Sequence, residues 1–235
     1  MLCDAPEIHL EWREALAPGH VLILGEMHGT QQSPQLAGIA VCDALRAGRS
    51  VGLFMEWPTS LQDALSDESR LLASAFFTGT FQDGRRSREM LGLAMRTQAW
   101  AKQGAPVSVV AMDPVDGDRN VGMATAVRGW MDAHPDSVAV VLVGNVHARL
   151  TKGFHDNASY EPLGFRLVDL GDRVRSLDVR YANGSGWFCS PDCGIHPLSG
   201  ESRGDDWKVD WFARGTFDGT YYIGVPTPSP PAVPR

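Results

Sequence analysis

Nowhere does the sequence hold a run approaching the roughly 20 apolar residues needed to span a bilayer. Its opening, MLCDAPEIHLEWREAL, places charges where a signal peptide would carry an apolar core. These two absences predict a soluble chain, cytoplasmic as written and extracytoplasmic where a leader has been removed. A basic surplus is also missing, since 21 Lys and Arg stand against 28 Asp and Glu and leave a formal charge of -7. With that balance the surface cannot neutralise many phosphates, which excludes nucleic acid as a main partner and disfavours anionic membranes. Cysteine is scarce, at four residues. Cys189 and Cys193 fall in FCSPDCGIH with His196 close by, but a fourth ligand and a standard zinc spacing are lacking. A disulfide or two free thiols is the reading there, and a disulfide would imply an oxidising compartment. Cys42, inside a helical pattern, reads as a buried inert thiol.

What is present is a chain of 235 residues, 43% hydrophobic, enough for one core. Val21 to Leu24, Val51 to Met55, Val107 to Ala111 and Val138 to Val143 are short aliphatic runs of the kind found in strands buried on both faces. Between them, Gln35 to Ala47, Leu61 to Phe77, Ser87 to Lys102 and Asn120 to Ala133 repeat apolar residues at three- and four-residue steps, which predicts helices. The alternation predicts an α/β fold with a largely parallel central sheet flanked by helices. Phe165 to Leu170 and Arg173 to Val179, split by Gly171 and Asp172, predict a C-terminal hairpin. Asn183 to Gly219 reads as an ordered but irregular extension, and Tyr221 to Val225 as a last strand. A single domain over residues 1–225 is expected, with a Pro-rich, disordered tail over 226–235.

Two strand ends stand out. VLILGEMHGT and VVLVGNVHA each pass from a buried run through glycine to histidine. The strands between them end in FMEWP and VAMDP, so the four endings offer Glu26, His28, Glu56, Asp113, Asn145 and His147. Parallel sheets bind ligands beyond their carboxyl edge, where these endings converge. Two imidazoles with carboxylates there could hold a divalent metal or work as an acid/base set around water. The glycine-histidine and methionine-acid-proline endings each occur twice, which suggests two related half-units. A lone glycine-histidine pair is a weak signal, and Asp113 before Pro114 could simply shape a turn.

The pair GEMH and GNVH, with the glutamate of FMEWP, resembles the superfamily that groups erythromycin esterases, ChaN-like haem-binding proteins, TraB proteins and Tiki metalloproteases. DRNVGMATAVRGWMDAHPDSVAVVLVGNVHA is most similar to the esterase branch, with its arginine ahead of a helix leading to a strand and a histidine motif. The resemblance implies catalytic roles for Glu26, His28, Glu56 and His147, with His28 acting on the water. In the Tiki-like version it implies a metal held by His28, Glu56 and His147. It departs from the esterases at Gly144, where they usually carry another histidine, and in lacking their large helical insertions. Arg119 matches the family arginine and, with Asn145, Asp113 and Arg88, is the expected substrate-binding set; Arg88 and its neighbours Arg85 and Arg86 also suit surface ion pairs. The implied function is hydrolysis of an ester or amide in a small molecule or peptide by a His/Glu-activated, metal-bound or metal-free water. The alternative implied is non-catalytic binding of haem or another iron compound.

Overall fold

The computed structural model describes residues 10–203 and 206–234. The four aliphatic runs become β1 (Val21–Glu26), β2 (Val51–Pro58), β3 (Val107–Asp113) and β4 (Val138–Gly144). Each extends one to three residues past its apolar stretch, so the acids at the strand ends belong to the sheet itself. Between them lie α1 (Gln32–Arg46), α2 (Glu68–Ala73), α3 (Ala75–Thr78), α4 (Arg88–Lys102) and α5 (Arg119–Ala133), and a single turn α6 (Asn145–Ala148) follows β4. The remaining strands are β5 (Val174–Arg180), β6 (Gly184–Cys189), β7 (Cys193–Leu198), β8 (Lys208–Trp211) and β9 (Gly219–Tyr222).

Seven strands form one sheet in the order β3-β2-β4-β1-β5-β9-β8, parallel except for the antiparallel β8–β9 hairpin at its edge. The protein therefore has the expected α/β class with a C-terminal hairpin. On one face α1 and α4 bury Leu36, Ala40, Met90 and Leu93 against Leu22, Leu53 and Val140. On the other, α5 buries Met123 and Val127 against Ile23, Phe54 and Val141. Burial on both sides explains why β1, β2 and β4 are continuous aliphatic runs rather than alternating ones.

Three expectations are corrected. The helix expected over Leu61 to Phe77 is broken into a 3-10 turn (Thr59–Ala64), α2 and α3. Asp67 accepts the Ser69 and Arg70 amides and Ser74 accepts that of Phe77, so each starts a new helix instead of continuing the old one. Phe165 to Leu170 is not a strand: Phe165–Arg173 forms 3-10 turns interrupted at Gly171, and Val174–Arg180 pairs in parallel with β1. Finally, the Pro-rich tail is extended but docked. Its non-proline amides and its carbonyls bond the body of the protein: Ser229 N–H donates to Gly29 O at 2.8 Å, while Gln31 N–H donates to Thr227 O and Arg88 N–H to Pro230 O, each at 2.9 Å.

The irregular stretch also contains the β6–β7 hairpin, separate from the main sheet. A disulfide joins Cys189 to Cys193 at its turn. Cys42 is buried as expected but is disulfide-bonded rather than a free thiol. Among the described residues no helix is long and apolar enough to cross a membrane.

The hairpin presses on the first motif. Trp187 N–H donates to Gly29 O at 2.8 Å, and Gly29 has φ +88° with no room for a Cβ, which would lie 1.8 Å from Trp187 O. Gly29→Ala is expected to destabilise the protein by at least about 1–3 kcal/mol, because it adds this clash to a strained backbone. A urea-unfolding midpoint equal to that of the parent would show that the contact with Trp187 is not maintained.

Candidate active site

The carboxyl ends of β1, β2, β3 and β4 meet as one polar cluster beneath the loops. Register places Glu26 beside Gly144, and Pro58 beside Asp113. Between Met55 and Pro58 the pairing of β2 with β3 slips, so Glu56 lies in a bulge. Bulges re-aim side chains next to ligand sites, and this one turns a carboxylate toward the rim. Gly144 eases the same approach: a Cβ there would sit 3.0 Å from His28 Nε2, so that the imidazole would have to shift.

Glu56 is the hub. Its Oε2 accepts the Gly144 amide at 2.9 Å and faces His28 Nε2 at 3.2 Å. Its Oε1 accepts from Arg119 Nη2 at 2.6 Å and from Arg85 Nη1 at 3.3 Å. Arg119 reaches further, with Nε to Asp113 Oδ1 at 2.8 Å and Nη2 to Asp113 Oδ2 at 2.7 Å. Arg85 Nη2 is tied to Asp83 at 2.7 Å. Burial alone would push the Glu56 carboxyl up, but His28, His147 and Arg85 outweigh it and hold the carboxyl well below its ordinary range.

The two histidines differ sharply. His28 is flanked by carboxylates on both nitrogens, with Nδ1 at 2.8 Å from Glu26 and Nε2 beside Glu56. Burial favours the neutral ring, but Glu56 and then Glu26 override it and lift the pKa from 6.5 to about 10. At neutral pH His28 is an imidazolium that donates both protons. His147 lies 3.9 Å from Glu56 through Nε2 and is held through Nδ1 by Asn120 Oδ1 at 2.7 Å. Because Asn120 Oδ1 also accepts the Leu163 amide, it acts as an acceptor, which puts the His147 proton on Nδ1 and leaves the Nε2 lone pair open. Burial lowers the His147 pKa, Glu56 opposes this, and Arg119 and His28 add to the lowering, so the ring is neutral.

Glu26, His28, Glu56, Asp113, Arg119 and His147 thus lie together. Asn145 follows Gly144 but lines a neighbouring cavity. Arg88 stands apart on the surface, where its amide binds the tail. The cluster also contains residues not singled out for the site from sequence, among them Tyr160, whose hydroxyl lies 3.2 Å from His147 Nδ1. Arg85 looked like one of three surface arginines, yet its side chain is 19% exposed and bridges Glu56, Asp113 and Asp83. Asn120 gave no signal beyond its place next to Arg119. Trp57 is fully buried, donating Nε1–H to Arg85 O at 2.8 Å, and so fixes the arginine loop.

The donor set does not fit a divalent metal. Both nitrogens of His28 face carboxylates, and both oxygens of Glu56 accept from N–H groups. Two unit charges 4 Å apart interact by about 4 kcal/mol at an effective dielectric constant of about 20, so a dication here would be opposed by both guanidinium groups. Among the described residues, no group of three or more His, Cys, Asp or Glu is arranged to hold a metal ion.

No family model matches the chain, and no curated protein matches it. Solved structures do. A succinoglycan biosynthesis protein is 8% identical, with 97% of this chain and 93% of that one covered and a TM-score of 0.69. A Bacillus cereus protein is 12% identical, with 95% and 93% covered and a TM-score of 0.63. An erythromycin esterase mutant, EreC in its open conformation, is 16% identical over 82% of this chain and 57% of that one, with a TM-score of 0.35. At these identities the likeness is one of fold alone: the chain shares its α/β architecture with the first two proteins.

Proposed function

We propose that the chain is a metal-independent hydrolase of ester or amide bonds in which His147 activates the water. One observation carries this reading: about one buried glutamate, His28 has a carboxylate on each ring nitrogen, while His147 has its Nδ1 on Asn120 Oδ1 and its Nε2 3.9 Å from Glu56. A general base needs an open lone pair and a pKa near or below the working pH, and His147 Nε2 has both. His28 has neither, which moves the base from the first motif to the last.

The steps follow from the charges. His147 Nε2 takes a proton from water as its oxygen attacks the carbonyl carbon. The negative charge that develops on the carbonyl oxygen is met by the positive groups around Glu56, of which Arg119, with its side chain 39% exposed, is open to the substrate. As the tetrahedral intermediate collapses, His147 returns the proton to the leaving oxygen or nitrogen. Glu26 and Glu56 keep His28 charged, and Asn120 keeps His147 in its working tautomer. A haem reading has weaker support, since an axial ligand needs a free donor in apolar surroundings and His147 Nε2 faces an ionic cluster instead.

His147→Ala is expected to lower kcat on p-nitrophenyl acetate by about 100- to 10,000-fold, the usual share of a general base. Circular dichroism should remain that of the parent, and dialysis of the parent against a chelator should leave its rate unchanged. A His147→Ala enzyme as fast as the parent would refute the assignment; loss of the parent's rate on chelation would restore the metal.

The pH dependences should separate the histidines. Because the pKa of His147 is lowered, kcat/KM should fall only at pH values below the ordinary histidine value of 6.5. His28 acts on stability in the other direction. Unfolded, its ring loses its proton near 6.5, and folded only near 10, so the stabilisation from Glu56 and Glu26 is complete below 6.5 and is lost as pH rises through about 10. Urea midpoints measured between these values should fall with pH in the parent and fall less steeply in His28→Gln; parallel slopes would show that His28 is not held as a cation.

A further inference from the structure

A cavity opens at the same carboxyl edge of the sheet, around the ends of β5 and β9. Its volume is about 410 Å³, within the range of about 300–1,000 Å³ usual for small-molecule sites. Asn145 joins it to the catalytic cluster, because Asn145 lines the cavity and directly follows Gly144, the residue packed against His28 and Glu56.

The wall chemistry narrows the ligand. Asp178 is buried, 4% exposed, and accepts from Arg180 Nε at 2.7 Å. Arg203 is paired with Asp210 at 3.3 Å, and its amide donates to the Tyr222 hydroxyl at 3.2 Å. Each arginine of the wall therefore already has a carboxylate, so a phosphate or carboxylate ligand would have to displace a protein group. A metal ion would likewise compete with Arg180 for Asp178. A long acyl chain suits the cavity no better, because it would desolvate these charged pairs without replacing their hydrogen bonds. What the wall offers is a mixture of donors and acceptors with no surplus positive charge, Glu201 adding a further acceptor, together with the rings of Tyr181 and Tyr222. Neutral hydroxyl groups carried on a ring with apolar C–H faces complement that mixture.

We propose that this cavity is the subsite for the saccharide portion of a carbohydrate ester, with Asp178, Arg180 and Tyr181 as specificity-determining residues. The inference rests on the hydrolase reading above for its chemistry. One water is consumed, the acyl C–O bond breaks, the acyl carbon leaves as a carboxylic acid, and the saccharide hydroxyl recovers the proton through His147.

The test uses the full chain with methyl glucoside, methyl galactoside, methyl mannoside and cellobiose, each with and without one O-acetyl group, beside p-nitrophenyl acetate. At least one acetylated saccharide should be hydrolysed with a KM that rises about tenfold, the effect of one good hydrogen bond, in Asp178→Asn and in Tyr181→Ala. The rate on p-nitrophenyl acetate should stay within about twofold of the parent. Calorimetric binding of the matching unacetylated saccharide should persist in His147→Ala and weaken in both cavity variants. Binding without hydrolysis of any ester would uphold the subsite and overturn the hydrolase reading. Hydrolysis of p-nitrophenyl acetate with no saccharide bound, or equal loss toward both ester types in both variants, would overturn the subsite.

Discussion

Glu56 carries a negative charge where only 2% of its surface meets water. A buried carboxylate is tolerated only when cations and N–H groups surround it, because losing one partner leaves an uncompensated charge at a cost of several kcal/mol. Much of the rim can be understood from that constraint. The slip in β2 presents the carboxylate, the missing Cβ of Gly144 admits His28, the Gly144 amide takes up one oxygen, and Arg119 and Arg85 converge on the other. Asp113 and Asp83 then balance the guanidinium groups, so the charge is passed outward in steps rather than cancelled in one pair.

The same constraint separates two histidines that look alike in sequence. GEMH and GNVH differ little on paper, but His28 lies between two carboxylates, whereas His147 has an amide oxygen at Nδ1 and the nearest Glu56 oxygen 3.9 Å from Nε2. Protonation is a property of these neighbours and not of the motif. The motif resemblance treats both as site histidines; their surroundings are what distinguish them, and the proposal of His147 as the base rests on that difference.

The fold was legible where burial was one-sided or complete. β1, β2 and β4 lie between two helical layers and so read as aliphatic runs, while α1, α4 and α5 show their packed faces at helical spacing. Legibility failed where local hydrogen bonds decided the outcome. Asp67 and Ser74 cap new helices inside a run whose apolar spacing alone suggested one helix. β6 and β7 are half-exposed on both faces and so show no alternation, and the tail is ordered by backbone bonds that composition does not encode. In the site, strand-end acids and histidines were visible because topology places them. Arg85 and Asn120 were not, because their roles depend on loops folding back across 29 and 27 residues of sequence to Glu56 and His147.

The first motif is held from three directions, and this bears on how such a site can work. Gly29 O accepts from Trp187 N–H of the β6–β7 hairpin and from Ser229 N–H of the tail, while a Cβ on Gly84 would run into the Gly29 backbone. Trp187 in turn donates Nε1–H to Gln82 O, beside the loop that carries Arg85. The hairpin, the tail and the arginine loop therefore share one junction, one residue from His28. Electrostatic stabilisation of a developing negative charge is effective only when the charges need not reorganise, and long arginine side chains lose considerable rotamer entropy when fixed. Here that ordering is built in during folding, by backbone bonds far apart in sequence, so the cationic groups are in position before any ligand arrives.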